Sequence, residues 1–155
     1  MTDLSDLLRP DAVLMDVAAA NKKTIFQTLA TAIAPQVGID PRAIVDVVTL
    51  REKLGSTGFG NGVAIPHGKM AGLTQVVGAF ARLAQPVEFQ SVDGLPVDLV
   101  FVLLSPVGAG ADHLKALARV SRQLRDRAFL AKLRGAGSPD ALYALFTADE
   151  ARDAA

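Results

Sequence analysis

Leu99-Val-Phe-Val-Leu-Leu104 is the longest strongly apolar run in this chain of 155 residues. Its odd and even positions are equally hydrophobic, which in an extended strand makes both faces apolar, the pattern of a central strand covered on two sides. At six residues it is far short of the ~20 that a membrane span requires. Upstream of it, Gly62 to His67, Val76 to Leu83 and Val13 to Val17 also read as strands. Between and around them the apolar period changes from two to helical. Ile25, Phe26, Leu29, Ala30 and Ile33 mark one helix, expected to stop at Pro35 and Gly38. Asp40-Pro41 reads as an N-cap followed by proline at the first helical position, opening a helix through Ile44, Val47, Val48 and Leu54 to Gly55. Residues 113 to 134 read as helix, with Leu114, Leu117, Val120, Ser121 and Leu124 on one arc and Lys115, Arg119, Arg122 and Arg125 mostly off it. Ser138-Pro139 repeats the capping device for a last helix carrying Leu142, Leu145 and Phe146. Gln85 to Pro96 reads as a surface connection or hairpin. Helices flanking an apolar sheet predict an α/β layered sandwich, a single domain over residues 1 to 155 with a mixed sheet and helices on both faces. The last few residues are expected to fray.

Composition narrows the function classes. Lys plus Arg and Asp plus Glu each number 16, so the formal net charge is zero. That balance argues against bulk electrostatic binding to nucleic acid. The 50% hydrophobic content excludes disorder, and with aromatics at 5% the core must be built from Ala, Val, Leu and Ile. There is no cysteine, which excludes disulfides and thiolate zinc sites. The first ten residues carry acids where a signal peptide carries bases, so a cytoplasmic location without membrane insertion is expected. Charge is unevenly distributed: residues 113 to 134 hold 7 basic groups against 1 acidic. Such a block is either a solvated helix face or a docking surface for an acidic partner.

The segment from Arg51 to Lys69 is the most unusual, with five glycines between Gly55 and Gly68. Glycine at this density lets backbone N–H groups approach an anion or hold positive-φ turns. A P-loop is excluded because Asn61-Gly62 follows Gly60 where lysine and a hydroxyl residue are required. The alternation of Gly58, Gly60 and Gly62 also breaks the dinucleotide-binding spacing. No G-x-S-x-G elbow occurs, so Ser56 lacks the setting of a hydrolase nucleophile. The two histidines, His67 and His113, rule out a histidine-rich metal site, although two histidines with a carboxylate remain formally open; no metal and no cofactor are expected. His67 shares a strand face with Val63 and Ile65. Arg51 falls within the apolar stripe of its helix, where a guanidinium must either snorkel out or meet an anion; a carboxylate and a phosphoryl group both suit it. His113 falls on the apolar arc at or next to a helix N-terminus, whose dipole favours neutral imidazole and an incoming anion.

Gly55-Ser-Thr-Gly-Phe-Gly-Asn-Gly-Val-Ala-Ile-Pro-His67 resembles the signature of the fructose/mannitol-type IIA domains of the bacterial phosphoenolpyruvate-dependent phosphotransferase system. The stretch Asp112 to Asp126 is similar to that family's second histidine helix, and Leu4 to Pro10 with His67-Gly-Lys69 most resembles its nitrogen-regulatory branch. The resemblance implies that His67 accepts a phosphoryl group from a phosphohistidine carrier protein, through Nε2 with Nδ1–H held by a backbone carbonyl. It further implies active-site roles for Arg51 and His113, with Ser56, Gly60, Asn61 and Gly62 of the glycine-rich loop binding phosphate. The partners it implies are the carrier as donor and regulatory targets, such as transport or kinase proteins, that respond to phosphorylation state. A sugar-transport component passing the group to a IIB domain, and a binding module that is never phosphorylated, are the alternatives.

Overall fold

The computed structural model describes residues 4–147. The expected fraying of the C-terminus lies outside the described residues. Strand β1 (Leu8–Val17) leads into helices α1 (Lys22–Val37) and α2 (Pro41–Lys53). Three short strands follow, β2 (Gly58–Gly60), β3 (Val63–Ala64) and β4 (His67–Met70), and then two long ones, β5 (Val77–Val87) and β6 (Val97–Pro106). Helices α3 (Gly110–Leu124), α4 (Arg127–Gly135) and α5 (Pro139–Thr147) complete the described chain.

The sheet runs β1-β5-β6-β3-β2, with β4 also paired to β6. It is mixed: β1 is parallel to β5, β3 and β4 are parallel to β6, while β5 with β6 and β2 with β3 are antiparallel. The apolar run is its centre. Val100, Val102 and Leu104 enter the core under α1 and α2, whereas Leu99, Phe101 and Leu103 enter the core under α3, α4 and α5. This is the expected two-sided α/β sandwich, produced by the period-two alternation of one continuously hydrophobic strand.

Several boundaries differ from the sequence reading. Helix α1 continues through Pro35 to Val37 and ends at Gly38, whose φ of +69° permits the left-handed cap. Pro35 is exposed, so the carbonyl deprived of its N–H partner can turn to water. The expected strand from Gly62 to His67 is broken, because Ile65 donates its N–H to the Thr57 carbonyl and Pro66 has none to give. The expected helix over 113 to 134 is two helices, split where the Asp126 carboxylate caps α4 by accepting from the N–H groups of Ala128 and Phe129. The buried side of α3 is His113, Ala116, Val120, Gln123 and Leu124, with Leu114 67% exposed, so the arc is rotated from the expected one. Leu54, expected on the buried stripe of α2, is 82% exposed because the helix has already ended at Lys53.

Candidate functional site

β4 is where the two helix layers meet the sheet edge. His67 pairs with Leu103 and Lys69 with Ser105, so the His67 side chain shares the face that α3 covers. Gly68, between them, faces the other layer: a Cβ there would stand 2.5 Å from Val47 Cγ1, so only glycine lets α2 pack this close to β4. The half-buried His67 imidazole is oriented by its neighbour two residues back, with Nδ1 2.7 Å from the Ile65 carbonyl oxygen. A carbonyl only accepts, so Nδ1 carries the proton and Nε2 keeps its lone pair. The break at Pro66 makes this bond possible by turning the Ile65 carbonyl toward the ring.

From the opposite side, α3 brings in the buried His113, and the two ring centroids lie 5.7 Å apart at an interplanar angle of 43°. Burial lowers the His67 pKa below the ordinary 6.5; the Ile65 carbonyl opposes that, Arg51 adds to it and Glu52 opposes it. His113 is lowered too, by burial first and then by the nearby His67 and Lys69. Both shifts favour the neutral imidazole at pH 7, in which His67 carries its lone pair at Nε2.

Arg51, in the last turn of α2, donates from Nη1 to the Gly55 carbonyl at 2.9 Å. Of the two solutions open to it in sequence, it takes the half-exposed one, with its guanidinium beside the loop that leads to His67. Sequence reading missed its neighbour Glu52. This carboxylate is 6% exposed, pairs with Lys22 Nζ at 2.8 Å, and accepts from the Thr57 hydroxyl at 2.6 Å and the Thr57 N–H at 3.2 Å. The Thr57 carbonyl in turn receives the Ile65 N–H. A charge in the last turn of an amphipathic helix gives no signal of burial unless its partners, 30 residues before and 5 after, are known.

The structure brings together His67, His113 and Arg51, but leaves the expected phosphate-binding turn elsewhere. Asn61 and Gly62, with φ of +58° and +81°, form the two-residue turn of the β2–β3 hairpin, and Gly60 flanks it. Val63 pairs with Leu99 whereas His67 pairs with Leu103, so roughly 13 Å of strand separates the turn from the histidine. The Asn61 N–H already donates to the Asp93 carboxylate, and the Asn61 carbonyl accepts from Arg134 Nη2. Glycine here serves the hairpin. Ser56 precedes β2, and its hydroxyl proton is given to the Phe89 carbonyl while its oxygen accepts the Gly58 N–H. It braces the loop.

The site is thus a mixed sheet covered by helices on both faces, with two histidine rings tilted toward one another beside β4. Residues 6–149 match the family described as phosphoenolpyruvate-dependent sugar phosphotransferase system, EIIA 2, and the chain belongs to that family. The nitrogen regulatory protein of Bradyrhizobium diazoefficiens is 50% identical over 142 residues, covering 92% of this chain and 93% of the relative. The nitrogen regulatory protein of Escherichia coli K12 is 37% identical over 148 residues, covering 95% and 91%. The crystal structure of nitrogen regulatory protein IIA-Ntr from Neisseria meningitidis matches with a TM-score of 0.87 at 34% identity, over 92% of this chain and 97% of that one. The family read from residues 55 to 67, and its nitrogen-regulatory branch, agree with these relatives. No helix among the described residues is long and apolar enough to cross a membrane.

Proposed function

We propose that this chain, over residues 1 to 155, is a phosphoryl-carrier domain of the nitrogen-regulatory kind, acting in the cytoplasm. His67 takes its phosphoryl group from a phosphohistidine carrier protein. The observation that carries the reading is the 2.7 Å contact of His67 Nδ1 with the Ile65 carbonyl, which leaves Nε2 as the nucleophilic atom. Nε2 donates its lone pair to phosphorus as the donor's own nitrogen–phosphorus bond breaks, and the donor imidazole departs with that electron pair. Because Nδ1 keeps its proton, the His67 ring gains positive charge, and the Ile65 carbonyl is placed to stabilise that N–H. Charge on the transferring oxygens is met by Arg51 and His113, so alignment and electrostatics carry the step.

The output in this reading is binding to regulatory target proteins according to phosphorylation state, since the new group adds nearly two negative charges at an exposed sheet edge. The basic block supplies a further contact surface, though part of it is engaged internally. Arg119 pairs with Asp6, Arg134 with Asp98, and Arg125 lies over the Phe59 ring at 5.6 Å. Lys115, Arg122, Arg127 and Lys132 stay exposed.

The test is incubation with phosphoenolpyruvate, enzyme I and a histidine carrier protein, followed by intact mass analysis of the wild type and His67→Ala. One acid-labile phosphoryl group in the wild type alone is the expected result, with no transfer onward to a IIB domain. Transfer to a IIB acceptor would make it a sugar-transport component. Absence of modification with every carrier would leave a binding module that is never phosphorylated.

A further inference from the structure

β6 sends Leu99, Phe101 and Leu103 to the α3 face, and the next residue in that alternation is a hydroxyl, Ser105. It is fully buried, and its Oγ lies 2.6 Å from His113 Nδ1. A neutral imidazole has one donor and one acceptor nitrogen, whereas a hydroxyl has one proton and two lone pairs. Two arrangements satisfy the contact. If His113 Nδ1–H donated to Ser105, the serine proton would need another acceptor, and among the described residues no other hydrogen-bond partner serves this hydroxyl. A buried proton would be stranded, which is the costly alternative. If Ser105 donates to Nδ1, both groups are satisfied and the histidine proton resides on Nε2.

We propose that Ser105 is a positioning residue that fixes His113 as the Nε2–H tautomer and so makes it a directed donor to the phosphoryl group on His67. The inference rests on the reading of His67 as the acceptor. Its consequence is that the two rings, 5.7 Å apart, are held in opposite tautomers. The Ile65 carbonyl leaves His67 with a lone pair at Nε2, and the Ser105 hydroxyl leaves His113 with a proton at Nε2. Charge that develops on the phosphoryl oxygens then meets a preorganised N–H. A proton shared between both His113 nitrogens would supply that donor only part of the time.

The experiment is long-range proton–nitrogen correlation spectroscopy on the unphosphorylated, nitrogen-15-labelled protein. Two histidines in the whole chain make His67→Ala sufficient to assign both rings. An acceptor-type Nδ1 and a protonated Nε2 are expected for wild-type His113. In Ser105→Ala the two nitrogen shifts should converge as tautomers interconvert, and Ser105→Thr should restore them. In the carrier assay the alanine variant should accept the phosphoryl group about five- to tenfold more slowly, with the loss in kcat and not in the KM for the donor. A protonated Nδ1 in the wild type, or unchanged shifts in Ser105→Ala, overturns the tautomer assignment without touching the acceptor reading. A wild type with the expected tautomers that never accepts a phosphoryl group overturns the donor role and the acceptor reading together.

Discussion

Removing the Glu52 carboxylate tests whether the loop that orients His67 is held from beneath. The carboxylate is 6% exposed and unites three elements: α2, which carries it, the N-terminus of α1 through Lys22, and the glycine-rich loop through the N–H and hydroxyl of Thr57. In Glu52→Ala the Thr57 hydroxyl can rotate, and Lys22, at 24% exposure and 5.0 Å above the Phe89 ring, can lean toward water. The buried Thr57 N–H has no such escape. Breaking a buried pair costs about 3–5 kcal/mol, and the partial exposure of Lys22 places the expected loss at the low end, about 3 kcal/mol. For a domain of this size that is a fall in Tm of about 6–12 °C. Thermal unfolding followed by circular dichroism measures it, and a double-mutant cycle with Lys22→Ala isolates the pair. Amide exchange at Ile65, whose N–H is bonded to the Thr57 carbonyl, should accelerate in the same variant. A loss below about 1 kcal/mol with strictly additive single mutants would refute the reasoning, since a supporting carboxylate must couple to its partner.

Gly62→Ala should separate stability from chemistry. At φ +81°, with a new Cβ 2.5 Å from Arg134 Nη2, the variant should lose about 2–3 kcal/mol in denaturant unfolding yet leave the folded protein's rate of phosphoryl acceptance unchanged; a rate loss would return the hairpin turn to the phosphate site. Both histidines have folded pKa values below the unfolded 6.5, so the unfolded state binds more protons as pH falls through 6.5, and stability should decline from there toward the lower folded values. His113→Ala should flatten that slope in melts run between pH 5 and 8 (roughly the interval over which histidine titrates). Charge reversal at Arg122, roughly 14 Å along α3 from His113 and beyond the ~8 Å screening length, should weaken target binding equally in both phosphorylation states, as calorimetry would show. Equal affinities for wild type and variant would remove the basic block from the target surface.

The parts of this molecule legible in sequence are those set by local chemistry. The strand at Leu99 to Leu104 announces a doubly covered sheet because burial on both faces leaves no polar position, and Asp40-Pro41 and Ser138-Pro139 announce helix starts because capping is a matter of three or four residues. His113 was readable as a buried-side histidine for the same reason, and His67 through its strand face. The glycines between Gly55 and Gly68 were ambiguous in sequence because the same residue serves a tight turn, a close helix approach and an anion cradle. In the folded chain Asn61-Gly62 forms the turn and Gly68 allows the close approach. Glu52 and Ser105 were illegible because each acquires its meaning from a residue on another element.

Pro66 shows how a single local rule produces the site. A proline inside a strand removes one ladder hydrogen bond, so β3 and β4 run along the same neighbour, β6, as two pieces instead of one. The Ile65 N–H turns to Thr57 and the Ile65 carbonyl turns to His67, while the Pro66 carbonyl keeps the register by accepting from Leu103. The interruption thus converts a backbone carbonyl that would have paired within the sheet into the group that fixes a histidine tautomer. β4 pairs with β6, and His67 at its start is only half-buried, so the ring keeps contact with solvent. In the proposed reaction the nucleophile must be oriented by its own protein yet reached by another protein's phosphohistidine, and an unbroken strand would lack the carbonyl that orients it.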